Sequence, residues 1–437
     1  MRLTTYRWLL RLLSPWILFS GWRRCRRAAQ LAKQSPDFVP IEACLAARFG
    51  WANKNHQPGG VWIHAVSVGE TRSIFPLLKR LSQDLPDCPL TVTSGSTQGA
   101  QQALRFAPVP IQHQMMPYDT PKAVNRFLDQ LAPALVLMVE TEIWPNLYQA
   151  CFDRGIPCFL INARIKAQSF DAYQKWGGAL VRQALTQTQG IACQFEVDRQ
   201  RFLALGARPE NTHVMGNLKF DLDPAAGLSE QAQQWRAKNH SQTRFIWVAA
   251  STHEGEEARI LQAHQQLCLH HPEALLILAP RHPERFEAVN ELLSQQLAPD
   301  NALAIRSKAQ TVSDATSVYF ADSIGEMMLW YQVADVCFVG GSLVPFGGHN
   351  ILEPASLGKT VLSGPHYSNL QALYDLFIQH QAIVLTPSPT DLAHNLEFFA
   401  QNPQARHQQG QRALKNFQAQ TGALERLMQL LRPWLPH

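Results

Sequence analysis

The run RFIWVAAS, residues 244–251, restarts a pattern that the chain has already used once. It follows a polar stretch, DLDPAAGLSEQAQQWRAKNHSQ (221–242). Before that stretch, short apolar or β-branched runs alternate with amphipathic segments of helical length: VWIHAVS (61–67), PLTVTS (89–94), ALVLMV (134–139), CFLINA (158–163), GIAC (190–193) and THVMG (212–216). After it the alternation returns through ALLILAP (274–280), SVYFAD (317–322), VCFVGGS (336–342), TVLSG (360–364) and AIVLTP (382–387). Continuous apolar strands separated by helices belong to parallel sheets covered on both faces. The pattern predicts an α/β chain of two Rossmann-like domains facing a cleft, with 34–220 as the first, 221–242 as a linker and 243–437 as the second.

A length of 437 residues and a hydrophobic share of 46% support two cores and exclude a disordered chain. The net charge of +5 is concentrated at one end. Arg2, Arg7, Arg11, Arg23, Arg24, Arg26, Arg27 and Lys33 fall within residues 1–33, which contain no acid, leaving 31 basic against 34 acidic residues elsewhere. A body with that balance does not suit nucleic acid; an anionic membrane surface is the expected partner of the basic end. The eight cysteines form no CxxC pair or Cys/His cluster, so they are read as reduced thiols of a cytoplasmic protein.

Residues 1–33 contain RWLLRLLSPWILFSGWRRCRR, with an arginine cluster where a signal peptide would have its small-residue cleavage site. The apolar run from Leu12 to Trp22 is too short to span a bilayer, and Pro15 is expected to break it. Trp8, Trp16 and Trp22 flanked by arginines describe a segment lying in or dipping into the membrane surface, with an ordinary core helix, or a single span in which Arg7 and Arg11 snorkel, as the alternatives.

Several motifs stand at strand ends, where ligands bind in open α/β sheets. In SVGE (67–70), Ser67 and Glu70 have the spacing of a capping box, and Glu70 is also placed to accept a proton from a sugar hydroxyl. STHE (251–254) repeats this spacing in the second half. VETEIWPN (139–146) sets Glu140 and Glu142 just past an apolar strand, where an acid is costly unless it has a function or a partner. GNLKFD (216–221) brings Lys219, a cation suited to an anionic donor. The glycines of VGGSLVPFGGHNILEPASLG (339–358) allow close backbone approach to a phosphate, with a helix expected from near Asn350 and Glu353 placed for ribose hydroxyls. APRHPERF (279–286) adds Arg281 and His282, and DSIGE (322–326) adds Gly325 and Glu326. There is no GxGxxG after the first strand and no Walker lysine, and the Asp221/Asp223 pair is rejected as a metal site.

HAVSVGE, VETEIWPN, NARI, GNLKFD, STHEGEE, PRHPERF, DSIGE and GGHNILEPASLGK, in this order, resemble the bacterial 3-deoxy-D-manno-octulosonic acid (Kdo) transferases of lipopolysaccharide assembly. The resemblance implies a GT-B glycosyltransferase, without metal or cofactor, that moves Kdo from CMP-Kdo to a lipid A precursor at the cytoplasmic face of the inner membrane. By motif it implies Glu70 as general base, Glu140 and Lys219 as transition-state supports, and CMP contacts from Arg281, His282, Ile324, Gly325, Glu326, Asn350, Ile351, Leu352 and Glu353. Glu142, Asn162 and Arg164 are assigned to acceptor binding, although KAQSFDAY (166–173) departs from the family's Ser-x-Arg-Ser pattern. The competing readings are a GT-B sugar-nucleotide epimerase and a membrane-bound nucleotide-binding protein without catalysis.

Overall fold

The structure is a computed structural model that describes residues 1–34, 38–51, 53, 55–221, 227–297 and 302–436. The chain forms two compact units, Met1–Asp221 with Thr421–His437, and Leu222–Gln420. The last residues therefore leave the second domain, where the sequence pattern puts them, and join the first. The cause is an amphipathic helix, Ala423–Leu431, whose Ala423, Leu427, Met428 and Leu431 enter the core beside Val61, Ile63 and Leu137. Asp221 fixes its start by accepting the N–H of Gly422 at 2.6 Å and that of Leu424. That side chain is thus spent on a cap, while Asp223 lies outside the described residues. The polar stretch 221–242 likewise contains the helix Leu228–Lys238, which buries Leu228 and Ala232.

The first unit holds a parallel sheet of β1 (Val61–Ala65), β2 (Leu90–Ser94), β3 (Gln112–Met115), β4 (Leu135–Val139), β5 (Cys158–Ala163), β6 (Gly190–Cys193) and β7 (Thr212–Val214), in the order β3-β2-β1-β4-β5-β6-β7. The chain reverses direction of growth between β1 and β4, which makes their carboxyl ends the switch point where ligands bind. Every residue of β1, β2, β4, β5 and β6 is buried, as two-faced coverage requires. The second unit holds β8 (Ile246–Thr252), β9 (Leu275–Pro280), β10 (Leu303–Ile305), β11 (Val318–Phe320), β12 (Val336–Val339), β13 (Thr360–Ser363) and β14 (Val384–Leu385), also parallel, in the order β10-β11-β9-β8-β12-β13-β14. Its switch point lies between β8 and β12.

Residues Leu3–Gln34 form one helix, α1, which runs through Pro15 instead of ending there. Proline removes the N–H that would bond to the Arg11 carbonyl, and the Ser14 hydroxyl donates to that carbonyl at 2.7 Å in its place. Tyr6 donates to Asp119 Oδ2 at 3.0 Å, and Arg7 Nε to Asn146 Oδ1 at 2.7 Å, fixing the first turns of α1 to the first unit. Gly21 lets Tyr118 pass, since a Cβ there would stand 1.7 Å from the tyrosine oxygen. Trp8, Leu12, Trp16 and Phe19 remain exposed, Leu12 by 75%. Among the described residues no helix is long and apolar enough to cross a membrane. Cys25 of α1 and Cys44 are disulfide-bonded, against the expectation of eight reduced thiols, because folding brings two cysteines 19 positions apart to a Cα separation of 5.7 Å.

Candidate functional site

In the first unit the turn after β1 presents Glu70. Ser67 caps the helix Val68–Ser73 by accepting the Glu70 N–H at 3.3 Å. The Glu70 carboxylate reaches back: Oε2 accepts the Val66 N–H at 2.8 Å and Oε1 accepts the Ser67 hydroxyl at 2.8 Å. This is a capping box displaced by one residue, since the glutamate takes the N–H before the cap and not that of the cap itself. Burial pushes the Glu70 pKa above the usual carboxylate range; the Val66 and Ser67 hydrogen bonds oppose the rise, and the charges of Glu140 and Glu142 add to it.

Glu140 follows β4 with φ +62°, a left-handed conformation that is costly for a non-glycine residue and is found where surrounding structure enforces it. Its Oε1 lies 3.5 Å from Lys219 Nζ. Lys219 is placed by a chain of buried amides. Asn162 Oδ1 accepts the Leu218 N–H at 3.1 Å, Gln194 donates to the Asn162 carbonyl at 3.0 Å and receives Asn217 Nδ2 at 3.0 Å, and Asn217 Oδ1 accepts the Lys219 N–H at 2.9 Å. Asn162, read from sequence as an acceptor ligand, is only 2% exposed, and its visible task is to hold the turn that carries Lys219. The hydroxyl of Thr141, between the two acids, donates to the Arg164 carbonyl. Glu142 accepts Trp144 Nε1–H at 2.8 Å and faces the buried His64.

In the second unit the turn after β8 carries a carboxylate that sequence spacing misplaces. Glu254 of STHE is exposed, and Ser251 adopts φ +56°. Glu256, 0% exposed, accepts four backbone N–H groups: His253 at 2.9 Å, Gly341 at 2.6 Å, Ser342 at 2.9 Å and Leu343 at 2.8 Å. It thereby binds the glycine-rich turn after β12 to the turn after β8. Thr252 donates to Glu257, which Arg285 grips with both terminal nitrogens at 2.6 and 3.2 Å. STHEGEE contains three acids, and only burial tells which one reaches back.

Around this turn His253 and His349 approach to 2.7 Å between their Nε2 atoms, one donating to the other, and His253 stacks on Phe346 at 3.6 Å. A Cβ on Gly341 would lie 2.8 Å from His349 Cδ2, so the glycine makes room for this pair. Burial, then His282, Arg285 and Arg281, lower His253 to about 4; burial, then His253, Arg281 and His282, lower His349 to about 3. The two rings are therefore neutral at pH 7, and Arg281 is the fixed cation beside them. Asn350 Oδ1 accepts the Leu352 N–H at 3.2 Å, but the helix that follows, Leu352–Ser356, is a turn and a half at most and carries Glu353. Its dipole is small, and the Gly341, Ser342 and Leu343 N–H groups of the glycine-rich turn are already taken by Glu256. Ile324 is exposed and Gly325 has φ +86°. Burial raises the Glu326 pKa, but hydrogen bonds from Arg306 and Ser323 outweigh it and hold the carboxyl below its usual range. Among the described residues no group of three or more His, Cys, Asp or Glu is arranged to hold a metal ion.

Two Rossmann-type units, each a seven-stranded parallel sheet, make up the GT-B architecture. Their fold is similar to that of the UDP-GlcNAc 2-epimerase of Neisseria meningitidis (TM-score 0.57, 14% identity, 86% of this chain and all of the other). It is also similar to a glycosyltransferase of Rickettsia africae (TM-score 0.54, 12% identity, 87% and 98%). The family model for 3-deoxy-D-manno-octulosonic-acid transferase matches residues 43–222. The chain is 35% identical to the Kdo transferase of Haemophilus influenzae over 90% of its own length and 91% of the relative's, and 34% identical to that of Bordetella pertussis over 98% and 99%. The chain belongs to the Kdo transferases, glycosyltransferases of lipopolysaccharide biosynthesis.

Proposed function

We propose that the chain transfers Kdo from CMP-Kdo to a lipid A precursor, a tetraacyldisaccharide bisphosphate, with inversion at the anomeric carbon and without a metal. The acceptor hydroxyl forms the new bond to the anomeric carbon and gives its proton to Glu70, while the bond to the phosphate oxygen breaks and its electron pair leaves with CMP. The observation that carries this reading is the Glu70 carboxylate itself: two hydrogen bonds fix its direction, and burial with two neighbouring acids raises its affinity for a proton.

Glu140 and Lys219 act as a charge pair beside the oxocarbenium-like transition state, and Glu142 and Arg164 belong to the acceptor side. Arg281, His282, the segment Ile324–Glu326 and the segment Asn350–Glu353 take the CMP moiety, Arg281 meeting the charge of the departing phosphate. On this reading α1 lies in the anionic cytoplasmic surface of the inner membrane, its exposed tryptophans at headgroup depth and its arginines on phosphates. The similarity of fold to an epimerase reflects a shared architecture, whereas an exposed, basic, tryptophan-rich helix suits an acceptor that stays in a bilayer. The test is incubation with CMP-Kdo and the tetraacyl acceptor in excess EDTA: a Kdo-bearing lipid is expected, and release or isomerisation of the sugar without lipid product would overturn the proposal.

A further inference from the structure

His64 is a completely buried residue of β1 that no motif assignment uses. Its Nδ1 lies 3.1 Å from the Thr93 carbonyl and 2.9 Å from Thr93 Oγ1, and the same Oγ1 receives Trp62 Nε1–H at 2.9 Å. A carbonyl oxygen only accepts, so Nδ1 carries the hydrogen, and the neutral ring has a bare lone pair on Nε2. That atom is buried with no hydrogen-bond partner, and Glu142 Oε2 faces it at 3.7 Å. A lone pair shut away against a carboxylate oxygen is unfavourable, and one proton between them removes the conflict.

We propose that His64 Nε2 carries a proton that faces the Glu142 carboxylate across 3.7 Å, and that this charged contact positions Glu142 on the acceptor side of the site. His64 is a positioning residue acting through Glu142, since its own side chain is closed to any ligand. The groups that face the pair are consistent with this. Glu70 and Glu140 stand near Glu142 with Lys219 as their cation, so a third full negative charge would be poorly compensated. Tyr148 donates its hydroxyl to the Glu142 carbonyl at 2.9 Å, and Tyr173 also lies within the field of the Glu142 carboxylate. The proton makes the side chain of Glu142 a fixed, singly oriented group beside the base.

The inference rests on the acceptor-side reading of Glu142, and two readouts separate the failure of one from the failure of the other. The first is the ¹⁵N spectrum of histidine-labelled full-length protein at pH 7.5, with the His64 signals identified by their loss in His64→Gln. A protonated Nε2 that becomes bare in Glu142→Gln is expected; a bare Nε2 in the parent would overturn the charged contact whatever the activity. The second is the pH profile of Kdo transfer. His64→Leu is expected to lower kcat by about 10- to 100-fold through misplacement of Glu142. His64→Gln, whose amide N–H can face Glu142 in place of the ring, is expected to keep kcat near the parent value. Folded His64→Leu protein, checked by an unchanged Tm and unchanged CMP affinity, that keeps the parent kcat, KM and pH profile would overturn the positioning role.

Discussion

Ser67 and Glu70 hold each other in place: the serine hydroxyl donates to Glu70 Oε1 at 2.8 Å and accepts the Glu70 N–H at 3.3 Å. On the proposed reading the cap and the base are one device, since the bonds that close the helix also aim the carboxylate. The fold does this against the preference of a buried acid, and the pH dependence follows. A carboxyl whose folded pKa is raised contributes stability that is present below its unfolded pKa and is lost as pH rises through the folded value. Glu70→Gln removes that loss, and its amide can still serve Val66 N–H and Ser67 Oγ, so the variant is expected to be more stable than the parent at pH 8 and less distinguishable from it at pH 4. Chemical denaturation at the two pH values checks this.

The same sign governs activity. A base must be deprotonated, so kcat/KM falls as pH drops through the raised Glu70 pKa, and the acid limb is displaced upward from that of an ordinary glutamate. Ser67→Ala deletes a hydrogen bond that opposes the rise and is expected to shift that limb further up while costing about 1 kcal/mol of stability through the lost cap. A pH–rate series on the two proteins measures both effects.

Glu256 makes a comparable prediction for the second unit. Replacing it by alanine strands four buried N–H groups, three of them in the glycine-rich turn, and is expected to cost about 3 kcal/mol or more. Glu254→Ala, at an exposed position, is expected to fall within about 0.5 kcal/mol of the parent. Urea unfolding and calorimetric titration with CMP separate the pair: CMP binding is lost in the first and kept in the second.

Most of both sheets was legible because their central strands are covered on two faces and so appear as unbroken apolar runs. The two strands that the pattern does not predict, β3 and β10, are edge strands of their sheets. β3 reads Gln-His-Gln-Met, partly exposed, and β10 is three residues long, so neither carries the signal of two-faced burial. Long-range facts were equally invisible: the return of Ala423–Leu431 to the first core, the Cys25–Cys44 bond and the Ser14 repair of Pro15 depend on which surfaces meet. Residue types at strand ends single out Glu70, Glu140 and Lys219 as candidates, whereas the hydrogen bonds of Glu256, His64 and the amides Gln194 and Asn217 depend on burial and partners that spacing does not encode.

The seat of α1 offers a steric test. Gly21→Ala places a methyl where the Tyr118 oxygen stands and is expected to destabilise the protein by about 1–3 kcal/mol. Tyr118→Phe removes that oxygen and is expected to recover much of the loss, so the double variant should be more stable than the sum of the singles predicts. A thermal double-mutant cycle measures the coupling.

For the exposed face of the same helix, replacement of Trp8, Leu12 and Trp16 by serine is expected to weaken sedimentation with anionic vesicles by on the order of 100-fold, with transfer to a water-soluble acceptor fragment unchanged. High salt should weaken the parent's vesicle binding through its arginines.

The most direct measurement of the central claim is the rate of Kdo transfer from CMP-Kdo to the tetraacyl lipid A precursor by the parent and by Glu70→Gln, side by side in EDTA. The account predicts product from the parent and a fall of about 10²- to 10⁴-fold in the variant at unchanged CMP affinity. A variant that transfers Kdo at near the parent rate would contradict it and leave Glu70 as a helix cap alone.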